Sequence, residues 1–374
     1  MATEFGTGVS SPDSTPYDAV LLVGFGGPEK PDDVVPFLEN VTRGKGIPRE
    51  RLEEVGEHYF RFGGRSPIND LNRAYRAAVE ADLRDHGIDV PVYLGNRNWD
   101  PYLRDVLEQM RSDGVRRAAS FLTSAYSSYS GCRQYRENLH DAVDGLADAP
   151  RLDRLRHYFN HPGFVETMVD ATDRALSELP VGLQDEAVVL FVTHSIPVAM
   201  NEASGRGEGL PGGAYVRQHE SVAGLVAGAV GSRRGRELRH ELVFCSRSGP
   251  PQVPWLEPDV GDRITELADA GTKAVAVVPI GFIADHMEVV YDLDTEAREV
   301  ADEAGVAYVR ADTAGTDPRF VGVVRELLVE RAAAERGDDP ARPAMGDLGP
   351  SWDVCPPGCC ANPRQDRPAL CGAD

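Results

Sequence analysis

Six apolar runs, AVLLVGF, VPVYLGN, RRAASFLT, EAVVLFVT, HELVFCS and KAVAVVPI, punctuate the chain from Asp18 onward, with amphipathic stretches of helical period between them. This alternation leaves little choice of architecture. Strands linked through helices pair in parallel, and a parallel strand covered on both faces reads as a continuous apolar run rather than an alternating one. The expected fold is therefore α/β. The most uniform run, VVLFVTHSIP from Val188 to Pro197, delivers His194 to the end of its strand. Open parallel sheets bind ligands beyond the carboxyl ends of their strands, so His194 lies where chemistry is expected. A lone histidine can equally be a satisfied structural one, and its partners must decide.

The segments VLLVGFGGP and VVLFVTHSIP each pass from strand through a small-residue loop to a proline. This weak internal repeat fits two similar α/β lobes with parallel sheets facing a central cleft. The stretch Pro180 to Asp185 reads as the joint. Pro101 after Asp100, and Asn69 or Asp70 before LNRAYRAAVEADL, mark helix starts, while Gly271 and Gly305 mark helix ends. The divisions expected are a disordered tip over 1–16, an N-terminal lobe over 17–180, a C-terminal lobe over 181–312, a helix over 313–337 and a cysteine-rich tail over 338–374. The tip lacks the basic start and apolar core of a secretory signal, and no run approaches the roughly 18 apolar residues of a membrane helix. A cytoplasmic location is expected. The formal charge of -21 repels phosphates and argues against a nucleic-acid partner.

Four groups of residues carry possible chemistry. Gly24-Phe25-Gly26-Gly27-Pro28 ends the first run without a GxGxxG spacing, and it suits either a phosphate or close backbone approach to a flat ligand lying on Phe25. Arg43, Lys45, Arg61 and Arg65 gather beside glycines in an acidic chain, pointing to an anionic ligand or to simple charge balance. The hydroxyl-rich segment FLTSAYSSYSGCRQYREN offers Tyr126, Tyr129 and Cys132 as a polar lining or a helix cap, while Cys245 and Trp255 read equally as packing residues. After Gly281, Glu288, Asp292 and Glu296 recur every fourth residue and form one stripe on a helix. Like charges so spaced repel by about 0.2–0.5 kcal/mol per pair, which suits a path for cations or protons better than a structural face. A solvated acidic face is the alternative, and His286 beside it reads as helix surface. Finally, Cys355, Cys359, Cys360 and Cys371 crowd a proline-rich tail. In a reducing compartment this points to metal, either zinc or an iron–sulfur cluster, with Cys132 as a further candidate ligand; redox storage or chance is the alternative.

Taken together, VLLVGFGGP, RFGGRSP, THSIP, PWLEPD, GFIADHMEVVYDLD and the cysteine tail resemble the ferrochelatases over nearly the whole chain. The resemblance implies two Rossmann-like lobes around a cleft, and insertion of ferrous iron into a porphyrin without a nucleotide. It makes His194 and Glu288 the two facing catalytic and iron-contacting residues, one on each side of the ring; a neutral His194 can take pyrrole protons, Glu288 can guide the metal or take a proton, and which does which stays open. Asp292 and Glu296 become the metal-guiding ridge, and Phe25, Arg43, Tyr59, Ser66 and Tyr126 the porphyrin-binding residues. The tail resembles that of members holding a [2Fe-2S] cluster, with four ligands drawn from Cys132, Cys355, Cys359, Cys360 and Cys371. Phe25 stands where some relatives place a tyrosine, Thr42 where some carry an arginine, and the C-x3-C-C spacing departs from that of animal members. A chain without a membrane-docking apolar lip fits the bacterial branch that uses coproporphyrin III to form coprohaem. Protoporphyrin IX as substrate, a cobalt or nickel chelatase, and a non-catalytic haem or metal carrier are the alternatives. The partners expected are porphyrin and ferrous iron, with the oligomeric state open and a monomer favoured.

Overall fold

The computed structural model describes residues 12–44, 46–207, 209–249 and 252–373. The N-terminal half runs β1 (Ala19–Gly24), α1 (Val34–Val41), α2 (Arg49–Phe60), α3 (Ile68–Asp85), β2 (Val92–Asn96), α4 (Leu103–Ser112) and β3 (Arg117–Leu122). A π-helical turn over Tyr129–Arg133 then leads into α5 (Gln134–Val143), β4 (Arg151–Arg154) and α6 (Pro162–Glu178). The C-terminal half runs β5 (Val188–His194), α7 (Val198–Ala203), α8 (Ala214–Arg234), β6 (His240–Cys245), α9 (Val260–Asp269), β7 (Ala274–Val278) and α10 (Met287–Tyr291). A second π-helical turn, Asp292–Ala297, continues α10 into α11 (Arg298–Glu303), followed by β8 (Ala307–Arg310) and α12 (Pro318–Arg336).

Each half holds a four-stranded parallel sheet, ordered β2-β1-β3-β4 in one and β6-β5-β7-β8 in the other. The two orders are the same when each half is counted from its own first strand, so the repeat glimpsed in the two strand-to-proline segments is a repeat of topology. Successive side chains of a strand point to opposite faces, and the cores divide by that parity. Val20 and Leu22 of β1 meet Val189 and Phe191 of β5 in one apolar core common to both halves. Ala19, Leu21 and Val23 face an outer layer with α4 and α5, and Val188, Leu190 and Val192 face another with α9. Two covered faces are the reason these strands read as unbroken apolar runs.

The six runs all become strands, but β4 and β8 were not among them. Their sequences, RLDR and AYVR, are four residues long and carry charge, too short and too polar to stand out as apolar runs. Helix α9 stops before Gly271 and α11 before Gly305, each glycine at positive φ as expected. Helix α4 starts at Leu103, two residues beyond Pro101, and α3 already at Ile68. Residues 1–11 of the expected disordered tip lie outside the described residues. Its remainder is not loose, because Arg336 at the end of α12 donates to the carbonyls of Asp13, at 3.2 Å, and Thr15, at 2.6 Å. Among the described residues no helix is long and apolar enough to cross a membrane.

Candidate active site and thiol pocket

Strands β5, β6 and β7 end side by side, and their carboxyl ends build the site. His194 pairs in register with Cys245, and Ser195 donates its N–H to the Cys245 carbonyl at 2.8 Å. The Pro254–Leu256 segment then grips the following loop, with Val198 N–H on the Pro254 carbonyl, Leu256 N–H on the Ile196 carbonyl and Ser195 Oγ on the Leu256 carbonyl at 2.8 Å. Trp255 therefore braces the loop that carries His194. Behind it, Thr193 Oγ1 meets the Tyr215 hydroxyl at 2.7 Å, and that hydroxyl donates to the His194 carbonyl at 2.8 Å. Gly281 passes so close that a Cβ there would lie 2.7 Å from the Thr193 Cα, which is why the residue after KAVAVVPI has no side chain.

His194 Nδ1 bonds the Ser195 carbonyl, so that nitrogen carries the proton and Nε2 is left to face the site. Nε2 lies 3.6 Å from Glu288 Oε1, with the two side chains 30% and 48% exposed. Groups on opposite faces of a flat macrocycle must stand about 7 Å apart, two van der Waals contacts of ~3.5 Å each. At 3.6 Å there is no room for a ring between them, so the expectation that His194 and Glu288 face each other across the substrate is corrected. Both address the same face. Burial alone would depress His194, but the Glu288 carboxylate overrides it and raises the imidazole to about 8. The pairing therefore favours the protonated imidazole over the neutral form expected from the sequence.

His286 is more than helix surface, since its Nδ1 accepts the Glu288 N–H at 3.2 Å and caps the first turn of α10. The acidic stripe survives, although its helix changes from α to π at Asp292. Glu296 is exposed, Asp292 is set deeper and Glu288 meets His194. Burial, with Glu288 and Glu296 adding to it, pushes Asp292 up to about 7 against the opposing hydrogen bond from Ser246. Ser246, at φ 62 directly after β6, is a contributor the sequence did not single out. Its place at the carboxyl end of the strand next to β5 was the only available signal.

The N-terminal half closes over this group through α2. His58 stacks on Tyr291 with ring centroids 3.9 Å apart, and Arg61 lies over the same ring at 5.8 Å. Tyr59 is close enough to Glu288 and Asp292 that their charges reinforce burial in raising its hydroxyl. Tyr59 and Phe25 both pack edge-on against Phe37, at 6.1 and 6.2 Å. Gly26, at φ +83, lets the loop after Phe25 turn close against Trp99. Arg43 reaches only the Asn40 side chain, whereas Arg65 pairs with Asp70. Among the described residues neither Arg43 nor Arg61 has a carboxylate in ion-pair range; Lys45 lies outside them. Two expected porphyrin contacts are not brought to the cleft. Tyr126 is 2% exposed, stacks on His219 at 3.5 Å and donates to the Ile280 carbonyl, so it is a core residue. Ser66 is buried under Gly27, its N–H on the Pro28 carbonyl, and braces the glycine loop. Ile47 before α2, Phe60 at its end and Phe62 just beyond it are exposed.

A second assembly lies where the tail meets the π-helical turn after β3. Cys132, Cys355, Cys359 and Cys360 are buried together, with the adjacent Cys359 and Cys360 sulfurs 3.8 Å apart. Adjacent residues reach one pocket because Cys360 takes φ 55, which swings its side chain inward. Cys360 Sγ also accepts the Gly205 N–H at 3.3 Å, just beyond α7. Cys371 stands apart, donating to the Leu152 carbonyl at 3.2 Å, with burial raising its thiol to about 11. Tyr129 is drawn into tail docking rather than the cleft: Asn362 donates to its hydroxyl and to the buried Glu137. Among the described residues no three His, Cys, Asp or Glu side chains are arranged around a single metal ion. A two-iron cluster makes a different demand, since each iron takes only two protein thiolates. The soft, all-thiol donor set fits such a cluster.

Carboxyl-end residues of a doubled parallel sheet, an imidazolium–carboxylate pair and a row of acids define a metal-handling enzyme of the chelatase kind. A family model described as Ferrochelatase matches residues 17–332, and the chain belongs to the ferrochelatase family. A Streptomyces coelicolor protein named coproporphyrin III ferrochelatase is 58% identical over 97% of this chain and 98% of its own length. Proteins of the same name from Streptomyces griseus and Frankia alni are 57% and 54% identical, over 97% and 93% of this chain and 98% and 87% of theirs.

The pair makes a direct prediction. Replacing Glu288 by Gln removes the anion that holds the His194 proton, so the imidazole should titrate at lower pH than in the wild type, where it titrates near 8. Histidine NMR titration reads this shift, and an unchanged His194 midpoint would contradict the pairing.

Proposed function

We propose that the chain inserts ferrous iron into coproporphyrin III, with the His194–Glu288 pair taking the pyrrole protons on one face of the ring. The observation that carries this reading is the pair itself, 3.6 Å apart beside a carboxyl near neutrality in Asp292, on a chain whose relatives of more than half identity bear that activity in their names. The porphyrin exchanges its pyrrole protons for the metal ion. At rest Nε2 is protonated and cannot accept one. A dication arriving beside Glu288 lowers the imidazole's affinity for its proton, which passes to the Asp292 carboxylate and on to solvent, so Nε2 is freed as iron arrives. Each pyrrole proton taken by Nε2 then passes to Glu288 or to Asp292, and from there past exposed Glu296 to solvent. The same stripe offers hydrated ferrous iron hard oxygen ligands on its way in.

The ring's other face meets Phe25 and Tyr59, which pack on the buried Phe37. Arg43 and Arg61, cations without a carboxylate partner among the described residues, take propionates. Coproporphyrin III carries propionates where protoporphyrin IX carries vinyl groups, and extra carboxylates reward extra guanidiniums. The thiol pocket is read as a [2Fe-2S] site held by Cys132, Cys355, Cys359 and Cys360, leaving Cys371 out. When bound, such a cluster supplies one-electron chemistry and ties the tail to both halves.

Anaerobic loss of porphyrin fluorescence with ferrous iron tests the substrate. Coproporphyrin III should be favoured over protoporphyrin IX by roughly tenfold or more in kcat/KM, the discrimination that charge-assisted contacts provide. Equal or reversed preference would overturn the substrate, and binding without insertion would make the protein a carrier. For the tail, Cys355→Ser should lose the visible [2Fe-2S] absorption of anaerobically purified protein while Cys371→Ser keeps it. The opposite pattern would sink the ligand assignment.

A further inference from the structure

We propose that Arg154 is the counter-charge of the thiol pocket, a positioning residue that lets four thiolates and their cluster sit buried at the lobe junction. The inference rests on the cluster reading above. Arg154 lies on the edge strand β4 and is 1% exposed. Its Nη2 donates to Cys355 Sγ at 3.3 Å and to the Trp352 carbonyl at 2.9 Å. Its Nε and Nη1 are buried with no hydrogen-bond partner among the described residues.

A buried guanidinium is costly unless an opposite charge faces it. No carboxylate does so for Arg154 among the described residues. The neighbouring Asp153 points to the other face of the strand, where it meets Arg117 and the Tyr17 hydroxyl. The groups that face Arg154 are thiols: Cys355 in contact, then Cys132, Cys371 and Cys359. Protonated thiols leave the guanidinium uncompensated. Thiolates bound to a net negative iron–sulfur cluster compensate it, and two idle N–H directions remain to donate to cluster sulfurs. Net charge and hydrogen bonds to sulfur are the terms that set such a cluster's potential. A nearby positive charge stabilises the reduced form, which carries one more electron.

The test uses the full-length wild type and two variants, Arg154→Met and Arg154→Lys, with cluster content from visible absorption and iron analysis and midpoint potential from anaerobic dithionite titration. Arg154→Met should lose most of its cluster, and what remains should titrate at a more negative potential. Arg154→Lys, which keeps the charge but not the fork, should recover content and most of the potential. Met and wild type alike in both readouts would overturn the proposal. So would Lys as depleted as Met, because charge would not then be the cause; this comparison holds even if the Met variant folds poorly. A wild type with no chromophore would remove the cluster reading itself, a result distinct from a wild type with chromophore that is indifferent to Arg154.

Discussion

An imidazolium held 3.6 Å from a carboxylate, at the place where three parallel strands end, is the contact on which the rest of this molecule depends. Burial works against a charged histidine, and Glu288 is the largest of the influences that favour the proton on His194, ahead of the Ser195 carbonyl and Asp292. That dependence makes the pair responsive. In the proposed mechanism a metal ion competing for Glu288 changes the protonation of His194, which would link the arrival of iron to the creation of a base. Two residues acting as one relay also account for their sharing a face. The proton must cross a single short gap, and a porphyrin between them would block it.

Much of the fold serves to fix that gap. Tyr215 and Ser195 immobilise the backbone at His194, the Pro254–Leu256 segment locks the loop beyond it, and His286 caps the turn that presents Glu288. The change to π geometry at Asp292 continues this turn into the acidic stripe. The core common to both sheets sets how the halves approach, and the His58–Tyr291 stack closes α2 onto α10 at the mouth. The thiol pocket lies at the same junction, with Cys132 from the N-terminal half, three thiols from the tail and a Gly205 N–H from the C-terminal half.

The parts of this arrangement legible in the sequence are those set by burial and period. Strands with a long enough apolar run announce themselves, at the centre of a sheet or, as with β2 and β6, at its edge, and the i, i+4 acids announce a common stripe. The edge strands β4 and β8 are silent because partners specify them rather than a core, as Asp153 and Arg154 show by pointing to opposite faces with different functions. His194 and Glu288 are visible as residues, but their separation is not, since it depends on how far α10 stands from β5. Tyr126 misleads because a tyrosine in a hydroxyl-rich loop looks the same whether its hydroxyl meets a ligand or the Ile280 carbonyl. Ser246 and Tyr215 carry no local pattern at all. Among the cysteines, the left-handed turn at Cys360 decides that adjacent thiols share a pocket, and spacing alone does not reveal it.

The claim that His194 and Glu288 act as one unit is tested most directly by a double-mutant cycle on single-turnover iron insertion, with porphyrin binding followed separately by fluorescence. His194→Ala should still bind porphyrin and lose about 10²–10⁴-fold in insertion, the range for a positioned acid–base group. Adding Glu288→Gln to it should cost little more, as it does for residues that work together. Losses that multiply in the double variant, or a His194→Ala protein that inserts iron within a few-fold of the wild-type rate, would contradict a single paired relay.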